Sequence, residues 1–511
     1  MNLKKIQLTI LFFLVVFSSG VLIGEYSLLN IRKKIYDLAE KIYPHYKNYT
    51  NKVNVQLIKI EVDESDFSKI RLNRANALSN NYLSKKKTDY VPATFIWNNK
   101  KIKGKFRLKG VFKDHFEDEK KWSFRIKLKK DSLMNASSFV LQHPKTRNYL
   151  NEWLFQKYIQ YINLIKLDYK FVRVEINNHN LGIYAFEESF TNKILRDNNL
   201  LIGPIIKFDE GRFFLDYVDE SNAAKTDWFD YSNNEYLNSK VEIYNDERIN
   251  DDTLFNSYFK KARDLLDSYR KNKILATSVF DEKKMSKYIA SVNIFSGFHG
   301  LNWNNMRFYF NPKTSKLEPI AYDTNSSFDL EISPNHVEQL LLTRYLFNDT
   351  IFFKSYVNEL YKMTKKSELD QFFKTIKSEF QTQENIISSE FFNYDNYPEK
   401  IYQKAQYIRK VIQNTYISDA SWCLDENYIT IYNSNKFPVK LLRIEQDNKV
   451  IYTFNKNNVV FKKPYLKSPE KIKYDIPLGE NILNKKKLNI IYKVIGLEKE
   501  KKVKIEYFIC E

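Results

Sequence analysis

From Trp122 to Leu128 the residues alternate strictly: Trp-Ser-Phe-Arg-Ile-Lys-Leu. A strand sends successive side chains to opposite faces, so Phe124, Ile126 and Leu128 share one face while Arg125 and Lys127 point to the other. Lys103–Lys109 repeats that period. Residues 92–130 therefore predict β-strands, with a charged, turn-like stretch over Val111–Lys121. The period then changes. Leu150, Leu154, Tyr158 and Tyr161 recur at helical spacing within Arg147–Ile162. Phe171–Ile176 and Leu181–Phe186 predict a hairpin around the turn-forming Asn177-Asn178-His179-Asn180. A sheet interleaved with helices implies an α+β chain.

The pattern continues with a short helix at Phe190–Leu195, a strand at Ile205–Phe208, and helices at Leu254–Tyr269 and Lys284–Phe295. Met306–Phe310 and Leu317–Tyr322 predict two strands joined by Asn311-Pro312-Lys313-Thr314-Ser315-Lys316. Residues 338–419 are dominated by helical patterns. From Tyr428 short alternating strands return, the signature of a small β-sandwich. With 511 residues, two or three domains are expected.

At the N-terminus, Lys4 and Lys5 precede an apolar run from Ile6 to Ile23. At ~1.5 Å per residue it almost spans a hydrocarbon core of ~30 Å. An uncleaved N-terminal transmembrane helix over 1–24 is expected, with a cleaved signal as the alternative. A helical stalk over 25–50 follows, and the main body is placed outside the cytoplasm, anchored to the membrane. Cys423 and Cys510 bracket the last segment; in an exported protein such a pair suggests a disulfide, and two unpaired cysteines are the other reading. The formal charge of +20 admits an anionic partner. The basic residues are spread along the chain and no recognition motif accompanies them, so no nucleic-acid partner is expected. Without a P-loop, GxGxxG or HExxH, the P-loop, Rossmann and zinc-protease classes lack support.

Seven of the eleven glycines lie between residues 104 and 300, which points to tight turns there. In the same region Asn305 directly precedes one strand of the predicted hairpin and Asp323 follows the other. Antiparallel pairing would bring both to one end. An amide oxygen and a carboxylate there suit Mg²⁺, which takes few ligands from protein and the rest from water and phosphate. The competing reading is a pair of turn residues capping strand ends.

The motifs resemble the CotH family of atypical, protein-kinase-like proteins. The resemblance rests on Phe106-Arg-Leu-Lys-Gly110 and Lys121-Trp-Ser-Phe-Arg-Ile-Lys127, then Arg147-Asn148. It continues with Asn178-His-Asn-Leu-Gly182-Ile-Tyr184-Ala-Phe-Glu-Glu188, and with Asn305-Met-Arg-Phe-Tyr-Phe-Asn-Pro followed by Leu317-Glu-Pro-Ile-Ala-Tyr-Asp323. These run in family order from about residue 95 to about 330. The resemblance implies a kinase-like core over 51–420, ahead of a β-sandwich-like domain over 421–511. It implies ATP and Mg²⁺ as cofactors, and phosphoryl transfer to a protein or cell-envelope acceptor. Asp323 would hold metal and serve catalysis, with Asn305 as second ligand. Lys109, Lys121, Arg125 and Lys127 are candidates to face the phosphates. Glu152 would pair with such a lysine, and Glu188 would lie near the adenosine. The chain departs from the family at one point. Members shown to be kinases carry an Asp in the loop before the Asn, whereas no carboxylate occurs here from Asn293 to Phe310. His299 is then the candidate base. The competing function is a membrane-anchored pseudokinase scaffold in the cell envelope that binds polysaccharide or protein.

Overall fold

The computed structural model describes residues 54–508, except 85, 212–227, 245–251, 325–336, 338–339, 392–393, 395–396, 418, 424–427, 433–436, 456–458, 461–470 and 476–486. The chain divides into two units. One comprises residues up to Leu154, Leu167–Ser189 and Ile376–Tyr397. The other comprises Phe155–Lys166, Phe190–Thr375 and Pro398–Glu511.

The first unit is built on seven strands: β1 (Leu57–Glu61), β2 (Val91–Trp97), β3 (Lys100–Leu108), β4 (Phe124–Leu128), β5 (Ser138–Gln142), β6 (Tyr169–Ile176) and β7 (His179–Glu188). They close into a barrel in the order β1-β2-β3-β4-β5-β7-β6, with β1 returning parallel onto β6. The alternation read from the sequence explains the interior. Ile58 and Ile60, Phe95, Ile102 and Phe106, Phe124 and Ile126, Phe139 and Leu141, Val172 and Val174, and Tyr184 and Phe186 form one buried core. Ile70 and Ala77 of the helix Glu64–Asn80 join it. Asn177 completes the closure: its side chain accepts from the Val62 N–H (2.9 Å) and donates to the Val62 carbonyl (2.8 Å).

In the second unit β8 (Ile205–Phe208), β9 (Val241–Ile243), β10 (Arg307–Asn311) and β11 (Lys316–Ile320) form a sheet in the order β11-β10-β8-β9. The helices Glu282–Ile294 and Thr350–Met363 pack side by side. Asp349 caps the second by accepting from the N–H groups of Ile351 and Phe352. Among the described residues nine strands follow: β12 (Asp419–Cys423), β13 (Tyr428–Tyr432), β14 (Val439–Gln446), β15 (Lys449–Thr453), β16 (Val459–Val460), β17 (Lys471–Asp475), β18 (Leu488–Val494), β19 (Glu500–Lys504) and β20 (Glu506–Phe508). They make two sheets, β17-β13-β12-β20 and β15-β14-β18-β19, with β16 also pairing with β14 in the second. Trp422, Ile429 and Ile431 of the first share a core with Leu441, Ile444, Leu488 and Ile490 of the second.

Two expectations are corrected. The early strands of the kinase-like core form a closed barrel within a mixed α+β chain of several sheets. Period-two alternation specifies which face of a strand is buried but not whether the terminal strands meet; here the long-range pairing of β1 with β6 removes both open edges. The transmembrane helix and the membrane-anchored localisation lack support as well. Among the described residues no helix is long and apolar enough to cross a membrane. The helices Thr253–Arg270 and Lys366–Ser388 have sufficient length, but both carry charged faces. The expected span over 1–24, the stalk over 25–50, and Cys510 of the expected Cys423–Cys510 pairing lie outside the described residues.

Gly104 faces the barrel interior between Ile102 and Phe106. A Cβ there would come within 2.8 Å of the Lys127 carbonyl and 2.9 Å of the Phe95 ring. Gly104→Ala is expected to lower stability by about 1–3 kcal/mol, read as a lower urea midpoint. An unchanged midpoint would contradict the tight barrel interior.

Candidate functional site

In the second unit the antiparallel register pairs Arg307 with Ile320 and Asn311 with Lys316. Asn305 and Asp323 therefore leave β10 and β11 at the same end. The loop before Asn305 holds the arrangement together. Asn305 Nδ2 donates to the His299 carbonyl (3.1 Å), while His299 Nε2 lies 3.7 Å from Asp323 Oδ1. One residue thus links the amide through its backbone and the carboxylate through its ring. With the amide nitrogen committed, Asn305 presents its oxygen as the atom for a cation. Asn305 and Asp323 are nearly buried, whereas about half of the His299 side chain is exposed.

Two glycines permit this approach. A Cβ on Gly300 would meet the Tyr322 carbonyl at 2.9 Å, and one on Gly297 would meet Thr324 Cβ at 2.9 Å. Asp323 itself is left-handed (φ 53°), a conformation that Asp tolerates better than most residues. The strand leading to it is anchored from the other side. Gln156 Nε2 donates to the Ala321 carbonyl (3.0 Å), and the Ala321 N–H to that of Ile165 (3.3 Å).

Arg307 braces the loop. Its Nη1 donates to the carbonyls of Asn304 (2.7 Å) and Met306 (3.0 Å), the two neighbours of Asn305. Its Nε donates to the Tyr244 hydroxyl, and its guanidinium lies 5.2 Å from the centre of the Tyr322 ring. Burial opposes the charge, but Tyr244, Glu210 and Tyr322 outweigh it and raise the pKa. Among the described residues no group of three or more His, Cys, Asp or Glu side chains is placed to hold a metal. An Asn–Asp pair is an oxygen donor set that fits Mg²⁺ sharing its remaining positions with phosphate and water.

In the first unit Lys109 Nζ donates to Gln142 Oε1 (2.7 Å) and lies 3.8 Å from Glu187 Oε1. Gln142 Nε2 and Arg147 Nε reach Glu187 Oε2 at 3.1 and 3.4 Å. All four side chains are buried. Burial, reinforced by Glu187 and Glu152, drives the Tyr169 hydroxyl pKa well above its ordinary value. Glu188 is also buried and accepts from the Asp168 N–H (3.3 Å). Lys121 is engaged by a different acid: it pairs with Glu390 (2.7 Å) and donates to the carbonyls of Leu181 and Ile183 (3.2 Å for the latter). Burial lowers its pKa, with Glu390 opposing. Gly182 (φ 81°) makes room for Glu390 against the hairpin, which accounts for the glycine in the Asn178–Glu188 motif. Arg125 and Lys127 lie on the outer barrel face, with Lys127 5.8 Å from the centre of the Tyr90 ring.

Within the second unit the structure brings His299, Asn305 and Asp323 together. Within the first it gathers Lys109 with Gln142, Arg147 and Glu187, leaves Glu152 buried at the start of the helix Asn151–Tyr161, and gives Lys121, Arg125 and Lys127 other surroundings. Sequence reading missed Glu187, Glu390 and Arg307. Strand phase could have signalled Glu187: with Phe186 in the core, Glu187 points to the outer face.

The family model described as CotH kinase protein matches residues 101–418, more than half of the chain. The chain belongs to the CotH kinase protein family. No curated protein matches it. The match makes this a kinase-like protein, and it covers the Lys109 cluster of the first unit and the Asn305–Asp323 hairpin of the second.

His143 supplies a test of the packing around Lys121. Its Nδ1 accepts the Lys145 N–H (3.0 Å), and burial followed by the Lys121 charge lowers its pKa from 6.5 to about 4. The unfolded chain takes up this proton near pH 6.5 and the folded chain only near pH 4. The stabilisation is therefore complete above pH 6.5 and lost as pH falls towards 4, by about 3 kcal/mol. Urea midpoints at pH 7 and 4.5 should fall further for wild type than for His143→Gln. Equal falls would contradict a neutral, buried His143.

Proposed function

We propose that this CotH-family chain transfers the terminal phosphoryl group of ATP to a protein acceptor, with Mg²⁺ held by Asn305 and Asp323. The observation that carries the reading is the placement of an amide oxygen and a carboxylate at one end of the β10–β11 hairpin, with His299 between them. Bound Mg²⁺ would neutralise charge on the phosphate oxygens, the main demand of phosphoryl transfer. The residues of the chain supply the rest. Arg307 holds the Asn305 loop, and the missing side chains at Gly297 and Gly300 leave room for Thr324 and the Tyr322 carbonyl on either side of Asp323. His299 is the candidate base for the acceptor hydroxyl, because its ring is half exposed and lies 3.7 Å from Asp323.

A second reading is favoured by the loop itself, which has His299 and no carboxylate from Asn293 to Phe310: a pseudokinase that binds nucleotide and transfers nothing. Phosphate incorporation from γ-labelled ATP into the chain and into a general protein acceptor separates the two. Asp323→Ala should abolish incorporation, and His299→Gln should reduce it by about 10²–10⁴. Wild type that binds ATP yet incorporates no more than Asp323→Ala would leave the pseudokinase reading. Wild type that binds no ATP would sink both.

A further inference from the structure

On the outer face of the barrel, β3 and β4 set like charges directly opposite each other on every second rung. Lys105 pairs with Lys127 and Arg107 with Arg125. The Lys129 N–H donates to the Lys103 carbonyl (3.0 Å), which continues the ladder by a third lysine pair. Like charges directly opposite destabilise a strand pair, and this stripe does so on three alternate rungs. No acid stands directly opposite it on a neighbouring strand; beyond Thr94, which faces Lys103, lies Glu61, already paired with Lys101. Lys105 faces Pro92 and Lys127 faces Ser138, while Arg125 faces Val140. The acid beyond Val140 is Glu187, already engaged by Lys109 and Arg147. Asp89, next to Tyr90, accepts from the Lys86 N–H. Among the described residues no carboxylate forms an ion pair with any of the six cations. Arg107 Nε is buried without a hydrogen-bond partner among the described residues, and its Nη1 reaches only the carbonyl of Leu108. What organises the stripe is one ring: Lys105, Arg107 and Lys127 lie 5.2, 5.1 and 5.8 Å from the centre of Tyr90.

We propose that this stripe is a docking site for an extended acidic segment of a partner protein. Same-face side chains on a strand repeat at about 6.6–6.8 Å. An extended peptide with acidic residues at alternate positions presents carboxylates at the same spacing, one for each rung. The two arginines add planar forks that grip carboxylates in two-point fashion. A single-stranded nucleic acid fits less well. Its sequence-independent binding needs open aromatic faces for the bases, whereas the one ring here is occupied by the chain's own cations. The inference goes beyond phosphoryl transfer and stands apart from it, because docking requires none of Asn305, Asp323 and His299.

The test uses the full chain and a fluorescent twelve-residue peptide of alternating Glu and Thr, followed by anisotropy, with ATP affinity measured on the same samples. The expected result is binding that weakens with salt and is absent for the Gln-for-Glu peptide. The double variant Lys103→Glu/Lys105→Glu should lose at least tenfold in peptide affinity, keep its ATP affinity, and unfold at the wild-type urea midpoint or above it. The proposal is overturned if wild type and the double variant bind the peptide equally, or not at all. It is equally overturned if the double substitution weakens ATP binding and spares the peptide, or if a twelve-nucleotide single strand binds more tightly than the peptide at equal salt. Asp323→Ala that loses phosphate incorporation but keeps peptide binding would separate this site from the hairpin chemistry.

Discussion

The backbone pairing of Arg307 with Ile320 is the constraint on which the candidate site depends. A shift of one residue would reverse the face of every side chain on the strand and move Asn305 away from Asp323. The register brings both residues to one end; the loop Gly297–Leu301 brings them together. Asp323 adopts a left-handed conformation that would otherwise be sparsely populated, and it is overdetermined by its surroundings. Gly300 leaves room for the carbonyl of Tyr322, which a Cβ would meet at 2.9 Å, while Gln156 and Ile165 anchor Ala321. Arg307 belongs to the same logic. Its charge is buried, which is tolerable because carbonyls on both sides of Asn305 and the surrounding Tyr244 and Tyr322 satisfy it.

Closure divides the labour of the first unit. Once β1 lies on β6, the inner face can be wholly apolar and the chemistry moves outside. Two kinds of polar surface result. Around Lys109, cations and Glu187 balance one another in a buried cluster, where removing one partner would strand the others. Around Tyr90, cations face cations near solvent, where long lysine side chains can spread their charge into water. The same alternation generates both; what differs is whether the neighbouring strands supply an acid.

Much of this was legible in the sequence where local pattern suffices. Phe124, Ile126 and Leu128 are in the core as their alternation predicts, and β10 and β11 flank the turn after Asn311. Closure of the barrel was not legible, because it depends on Leu57 meeting Arg173 across more than a hundred residues. Glu187 was passed over for its neighbour Glu188, since two adjacent acids differ only in strand phase. Glu390 lies more than two hundred residues from Lys121, and no local signal links them. Arg307 stands within an aromatic strand, and its role appears only once the carbonyls of Asn304 and Met306 are seen to converge on it. The apolar run at the N-terminus is a pattern of composition; no helix among the described residues answers it.

The most direct measurement is a crystal structure of the chain with Mn²⁺ and a non-hydrolysable ATP analogue, with the metal located by its anomalous signal. The predicted result is one peak bound by Asn305 Oδ1 and an Asp323 carboxylate oxygen at roughly 2.1–2.2 Å, close to the Mg²⁺ distance. A nucleotide-bound metal that leaves both residues outside its coordination shell would contradict the claim that the β10–β11 hairpin builds the metal site.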